Sequence, residues 1–317
     1  MGTHAFTLGI FIGELPIPDF DRALERVRAI GAEHILVHSL GADGSIGELT
    51  DAQADRLGKR LEAHGVRPLL FGGNVFKEVH LADLEIGTMA EHPQFKDHFA
   101  RLERGMQIGA RLGFRDVCTF TLAWPGEYSA QGRVSPTWPM RWATRGGIIG
   151  SADMDKLEKA YTLMLEAAER HDVNLVLMQM PWNYTNTTGN FRRIAERLAS
   201  PRIKVMWGPA DNVNCGESDT ATAGFRNVRP YVHGLHMKDL RVNCGPELDF
   251  TYCPIGQGHT DYETVLRNLH EHGCPAFLSV ASHYVPPGRD PKDPDACEEA
   301  LRANFRTVSA LVEKVTA

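Results

Sequence analysis

NLVLMQMPWNYTNTTGNFRRIAERLASPRIKVMWG, residues 174–208, reads as one strand–helix–strand unit. Its two ends, NLVLMQM (174–180) and IKVMWG (203–208), are short and mainly apolar. Runs of that length and composition fit strands buried on both faces. Between them, FRRIAERLA (191–199) repeats apolar residues at helical spacing. A strand joined to its neighbour through a helix fits a parallel sheet, because parallel strands need a crossover connection.

The same unit recurs in both directions. Upstream, the strands are FTLGIF (6–11), HILVHS (34–39), VRPLLFGG (66–73) and DVCTFTLAW (116–124). Downstream they are VHGLHMKD (232–239) and AFLSVASH (276–283). Amphipathic stretches separate them. Asp19 is a predicted N-cap for the first helix, and Thr50 with Gln53 has the spacing of a capping box for the second. GFRNVRPY (224–231) is expected to be the helix before the seventh strand. Eight alternating units in 317 residues predict an α/β protein, a single (β/α)8 TIM barrel spanning 1–317. An open doubly wound sheet is the alternative, but the first strand ends in GIFIGELP, with no GxGxxG turn. A Gly-, Pro- and Trp-rich insertion is expected at about 125–150.

Composition narrows the partners. The net charge is −6, with no basic footprint for nucleic acid and no polybasic membrane patch. A small-molecule substrate is the expectation. The six cysteines, Cys118, Cys215, Cys244, Cys253, Cys274 and Cys297, show no CxxC pairing. They are read as reduced thiols of a cytoplasmic protein. The opening MGTHAFTLGIF lacks a basic region followed by a cleavable apolar stretch, and no apolar run is long enough to span a bilayer.

In such barrels the reactive side chains lie at the C-terminal ends of the strands. Those ends supply His38, Asn74, Trp124, Gln179, Trp182, Asp211, His236, Lys238 and His283. His236 and Lys238 share a face, because side chains in a strand alternate. His236, Asp211, Lys238 and His283 are the expected catalytic set, able to move protons or stabilise charge. Lys238 also admits a Schiff-base role, with local pairing as the simpler one. Asp239 is expected to face away and pair locally. His38, Trp124, Gln179, Trp182, Trp207 and His259 are expected substrate contacts; each also fits plain packing or loop orientation. In the insertion, Glu127 and Arg145 are expected to line the entrance, and WPMRWATRGG (138–147) to form a lid or an oligomer contact.

Four segments give these residues a family context. HMKDLR (236–241), PIGQGHTDY (254–262), KVMWGPADNVNCGE (204–217) and LVLMQMPWNYTNT (175–187) resemble the HxKD, PxGxGxxDY, strand-six and strand-five motifs of the xylose-isomerase-like superfamily of sugar phosphate isomerases and epimerases. AFLSVASHY (276–284) resembles its LSxETHY segment more weakly. The resemblance implies a TIM barrel, a sugar-like substrate and a homo-oligomer. It also implies one divalent cation, often Mn²⁺ or Mg²⁺, held by Glu, Asp, His and Glu from strands five to eight.

At those four positions this chain carries Met178, Gly208, His236 and Ala281. A thioether, a hydrogen and a methyl group are no ligands for a hard cation. No metal and no other cofactor is therefore expected, the alternative being a rearranged divalent-metal site built from His236 with Asp211, His283 and His38. Two functions follow from the resemblance and its departures. One is a metal-independent enzyme performing proton-transfer isomerisation or β-elimination on a sugar-like or hydroxylated carbonyl compound. The other is a non-catalytic binding or subunit-like homologue.

Overall fold

A computed structural model describes residues 6–124, 147–243 and 249–317. Eight parallel strands close on themselves: β1 (Phe6–Phe11), β2 (His34–Val37), β3 (Arg67–Gly72), β4 (Asp116–Thr119), β5 (Asn174–Met178), β6 (Ile203–Trp207), β7 (Val232–Met237) and β10 (Ala276–Val280). Closure is made by β10 against β1, with Phe6 level with Ala276 and Ile10 with Val280. This is the expected single (β/α)8 barrel.

The helices between strands are α1 (Phe20–Ile30), α2 (Asp51–Ala63), α3 (Pro93–Arg111), α4 (Ser151–Arg170), α5 (Thr188–Leu198), α6 (Pro209–Asn214), α7 (Phe225–Val228), α8 (Tyr262–Glu271) and α9 (Pro294–Thr316). Asp19 caps α1 by accepting from the Arg22 amide, and Thr50 and Gln53 form the reciprocal capping box of α2. Both satisfy backbone donors that a helix start leaves open.

Strand alternation divides the apolar residues into two layers. Leu36, Leu70, Cys118, Val176, Met178, Met206 and Phe277 fill the barrel lumen. Leu175, Leu177, Val205, Trp207, Leu235, Met237, Leu278 and Val280 face the helices. Each strand is buried on both sides, which is why its sequence reads as an unbroken apolar run.

Three details differ from expectation. The region expected to be the helix at 224–231 is a π-type turn over 220–224 running into the short α7. A short helix, α6, follows β6 directly. The segment after β7 forms an antiparallel hairpin of β8 (Asp239–Asn243) and β9 (Asp249–Cys253). The strands also stop two to five residues earlier than several of the quoted runs, and the residues beyond them build the mouth. Most of the insertion at 125–150, with Glu127, Arg145 and nearly all of WPMRWATRGG, lies outside the described residues, as does Cys244. Among the described residues no two cysteines are joined in a disulfide. Among the described residues no helix is long and apolar enough to cross a membrane.

Candidate active site

The C-terminal mouth of the barrel gathers a histidine–carboxylate pair and a lysine–carboxylate pair. The first joins His283, just past β10, to Glu14, three residues past β1. Glu14 Oε1 lies 2.7 Å from His283 Nδ1, and its Oε2 accepts the His283 backbone amide at 2.7 Å. Glu14 is buried. Two bonds from one carboxylate fix both the ring and the backbone of His283, which sits in the left-handed region at φ 48°. Such a conformation costs a non-glycine residue about 1 kcal/mol or more, so the surroundings must hold it. With Nδ1–H directed at the carboxylate, Nε2 is the basic nitrogen of the neutral ring.

The second pair is fully buried. Lys238 Nζ lies 3.0 Å from Asp211 Oδ1. Lys238 is held from behind by Tyr262, whose hydroxyl donates to the Lys238 carbonyl at 2.6 Å and accepts from its amide at 3.2 Å. Asp211 is set by the first turn of α6. Among the described residues its Oδ2 has no hydrogen-bond partner. Burial pushes the Asp211 carboxyl up from its ordinary range, and the Lys238 charge opposes that shift.

Gly208 makes room for this pair. A β-carbon there would lie 2.7 Å from Asp211 Oδ2, inside contact distance. The position at which the resemblance implies an aspartate is thus approached by a carboxylate from three residues further on, already engaged by an ammonium group.

His236 lies between the two pairs, its ring 5.7 Å from that of His283. Burial, then the charges of Lys238 and His283, push its pKa well below the ordinary value, so it is neutral near pH 7. Among the described residues its buried Nδ1 has no partner. Tyr252 of β9 closes this side, 5.2 Å from the His283 ring. Burial, with the Asp211 and Glu14 carboxylates, pushes its hydroxyl pKa up.

The other side of the mouth is aromatic. Phe11 stands edge-on to both His236 and His38, each at 5.6 Å. His38 lies 5.2 Å from Phe120, and Phe120 lies 5.9 Å from Trp182. Burial, reinforced by the charge of Lys77, lowers the His38 pKa to about 3. The Lys77 ammonium sits over the Phe120 ring, 4.3 Å from its centre.

The expected catalytic four, His236, Asp211, Lys238 and His283, come together here, with His38 and Trp182 on the facing wall. Three expected contacts do not. Trp207 points out to the helix layer, its indole donating to Asn212 Oδ1 at 2.9 Å, because it follows lumen-facing Met206 in strand alternation. Trp124 belongs to the same outer layer, stacked on Tyr184 at 4.0 Å. His259 is exposed, and its Nδ1 accepts from the Val242 amide, tying the hairpin to the loop before α8. Gln179 is buried at the mouth with both ends engaged: its Nε2 donates to the Thr185 carbonyl, and its Oε1 lies 3.4 Å from the Gly208 amide. Asp239 does pair locally, accepting from the amides of Leu240, Gly256, Gly258 and Thr260. A β-carbon at Gly258 would collide with its carboxylate.

The model of a family described as xylose isomerase-like TIM barrel matches residues 24–306. The chain belongs to the xylose isomerase-like TIM barrel family. Solved structures share its fold at low identity. A xylose isomerase-like TIM barrel protein from Mycobacterium smegmatis, solved in complex with magnesium, is 16% identical with a TM-score of 0.68, covering 100% of both chains. An L-ribulose 3-epimerase is 16% identical with a TM-score of 0.65, covering 98% of this chain and 95% of the other. The probable 3-DHS dehydratase of Bacillus anthracis is 11% identical with a TM-score of 0.62, covering 95% and 98%. No curated protein matches the chain.

The xylose isomerase-like family implies a divalent ion, and the residues at the four family positions do not fit it. Met178 and Ala281 offer no hard oxygen donor, Gly208 offers none, and the neighbouring Asp211 is held by Lys238. Among the described residues no group of three or more His, Cys, Asp or Glu side chains is arranged to hold a metal.

Sequence reading missed Glu14, Lys77, Phe11, Phe120 and Tyr252. Glu14 carried a usable signal, as a carboxylate three residues past the first strand. Tyr252 carried none, because the hairpin that delivers it was unforeseen.

Proposed function

We propose that this xylose isomerase-like barrel is an enzyme that moves a proton next to a carbonyl of a small hydroxylated compound, without a family-type metal ion. The observation that carries the reading is the Glu14–His283 dyad beside the Asp211–Lys238 pair. His283 Nε2 takes the proton from the carbon beside the carbonyl. The C–H electron pair forms the carbon–carbon double bond of an enol(ate), and the carbonyl π pair moves to oxygen. Lys238 and neutral His236 stabilise that oxygen by charge and hydrogen bonding. Returning the proton to the former carbonyl carbon, while the proton of the neighbouring hydroxyl passes to the former carbonyl oxygen, completes an isomerisation. Expelling a β-hydroxyl, which leaves as water after taking up a proton, completes an elimination. The similarity in fold to an epimerase and to a probable dehydratase is compatible with either outcome.

The test is deuterium uptake from D₂O, followed by NMR across ketoses and hydroxylated cyclic ketones, with metal analysis of the purified protein. Exchange by metal-free protein that is lost in His283→Ala supports the reading. Stoichiometric divalent metal, with exchange abolished by chelation, would overturn its metal-free part. No exchange with any compound, together with tight association with another chain, would favour the binding-subunit alternative.

A further inference from the structure

We propose that Lys77 is the anchor for a carboxylate of the substrate, so that the compound bound in this mouth is a hydroxylated monocarboxylate rather than a neutral sugar. The inference rests on the proton-transfer reading of the same site. Asp211 is paired with Lys238 and Glu14 with His283. Lys77 forms no ion pair among the described residues. The neighbouring Glu78 is exposed, and its charge offsets only part of the effect of burial on Lys77. Burial lowers the Lys77 pKa to about 8, which still leaves it mostly protonated near pH 7.

Its position is built. Phe76, directly before it, is fully buried in the left-handed region at φ 65°. The Phe76 amide donates to His98 Nδ1 at 2.8 Å, and its ring packs on Phe95 at 5.5 Å. These contacts fix the turn that lays Lys77 over Phe120. Phe120 is a member of the lumen cluster and touches His38 and Trp182. The ammonium therefore stands at one end of a continuous wall, Phe120–His38–Phe11–His236, whose other end is the His283 dyad.

A partly desolvated cation with aromatic neighbours gains most from a single compact anion. A carboxylate matches one ammonium in charge. A phosphate dianion is usually met by several donors, such as Arg side chains or a helix start. The polar side chain of the wall on which the Lys77 charge acts is His38, held neutral.

The test compares wild type, Lys77→Met and Lys77→Arg by calorimetric titration against three probe groups. These are aldonates of four to six carbons with the cyclic shikimate, the matching neutral polyols, and inorganic phosphate. Circular dichroism and Tm establish that the variants are folded. The expected result is that wild type binds at least one monocarboxylate, Lys77→Met binds it ten-fold or more weakly, and Lys77→Arg stays within a few-fold. Neutral polyols should bind equally weakly to all three proteins. The proposal is overturned if wild type binds no monocarboxylate, if Lys77→Met binds it as well as wild type, or if phosphate or a polyol binds more tightly. Borohydride trapping of a carbonyl compound on Lys77 would overturn it as well, by making the lysine an imine-forming nucleophile. Deuterium exchange separates the two readings. Carboxylate binding without exchange leaves the anchor and removes the enzyme, whereas exchange on neutral ketoses that survives Lys77→Met does the reverse.

Discussion

The two sides of the barrel mouth are built on opposite principles. The side formed by β7, β10 and the turn after β1 is polar and paired: Asp211 meets Lys238 and Glu14 meets His283, with all but the half-buried His283 shielded from solvent. The side formed by the ends of β2, β3 and β4 is aromatic, with one lysine and no facing carboxylate among the described residues. A buried pair is costly to break and holds geometry well. A lone cation over an aromatic ring holds little and is available to a ligand. Under the proposed function, chemistry falls to the first side and recognition to the second.

The largest effect expected from breaking that contrast is on catalysis. Under the proton-transfer reading, His283→Ala should reduce D₂O exchange by about 10²–10⁴-fold, the usual worth of a positioned general base. Glu14→Gln should cost nearly as much, and the double variant little more than either, since the two act as a unit. Additive losses would break the dyad assignment.

Stability should split along the same line. Asp211→Ala strands the Lys238 ammonium and should lower unfolding free energy by about 3–5 kcal/mol in urea titrations. Adding Lys238→Met should recover much of it. Lys77→Met, on the aromatic side, should be neutral or stabilising by up to about 1 kcal/mol. A loss at Lys77 as large as that at Asp211 would erase the distinction between the two sides.

A smaller effect is expected in acid. His38 stays neutral down to about pH 3 in the folded protein, whereas in the unfolded chain it protonates near 6.5. Below 6.5 the unfolded state therefore binds more protons, so stability is full above that pH and falls as the pH drops toward 3. The slope is at most about 1.4 kcal/mol per pH unit for each such histidine. His236, lowered in the same direction, should add to it. His38→Phe should flatten the slope measured between pH 6 and pH 4.5, and an unchanged slope would place the proton uptake elsewhere.

The barrel was legible because its signal is repeated eight times: apolar runs alternating with amphipathic stretches leave few other arrangements. Caps at Asp19 and Thr50 were legible because they depend on three or four adjacent residues. The ionic side was largely legible, since His236, Lys238 and His283 sit on or just after strands whose register the apolar pattern fixes. What failed depends on direction and on distance along the chain. Trp207 is one residue past Met206, and that single step turns it out of the lumen. Glu14 meets His283 across 269 positions, at the seam where the last strand closes on the first. Lys77 depends on a left-handed turn at Phe76, a residue with no intrinsic preference for it.

The missing side chain at Gly208 limits how this pocket could be rebuilt. With Asp211 Oδ2 only 2.7 Å from where a β-carbon would stand, an aspartate placed at 208 displaces the carboxylate that neutralises Lys238. That single change damages the present pocket before it supplies anything of a metal cradle, which would also need acids at 178 and 281. The space at 208 is already taken, so a metal site can be installed only by moving Asp211 and its lysine partner together.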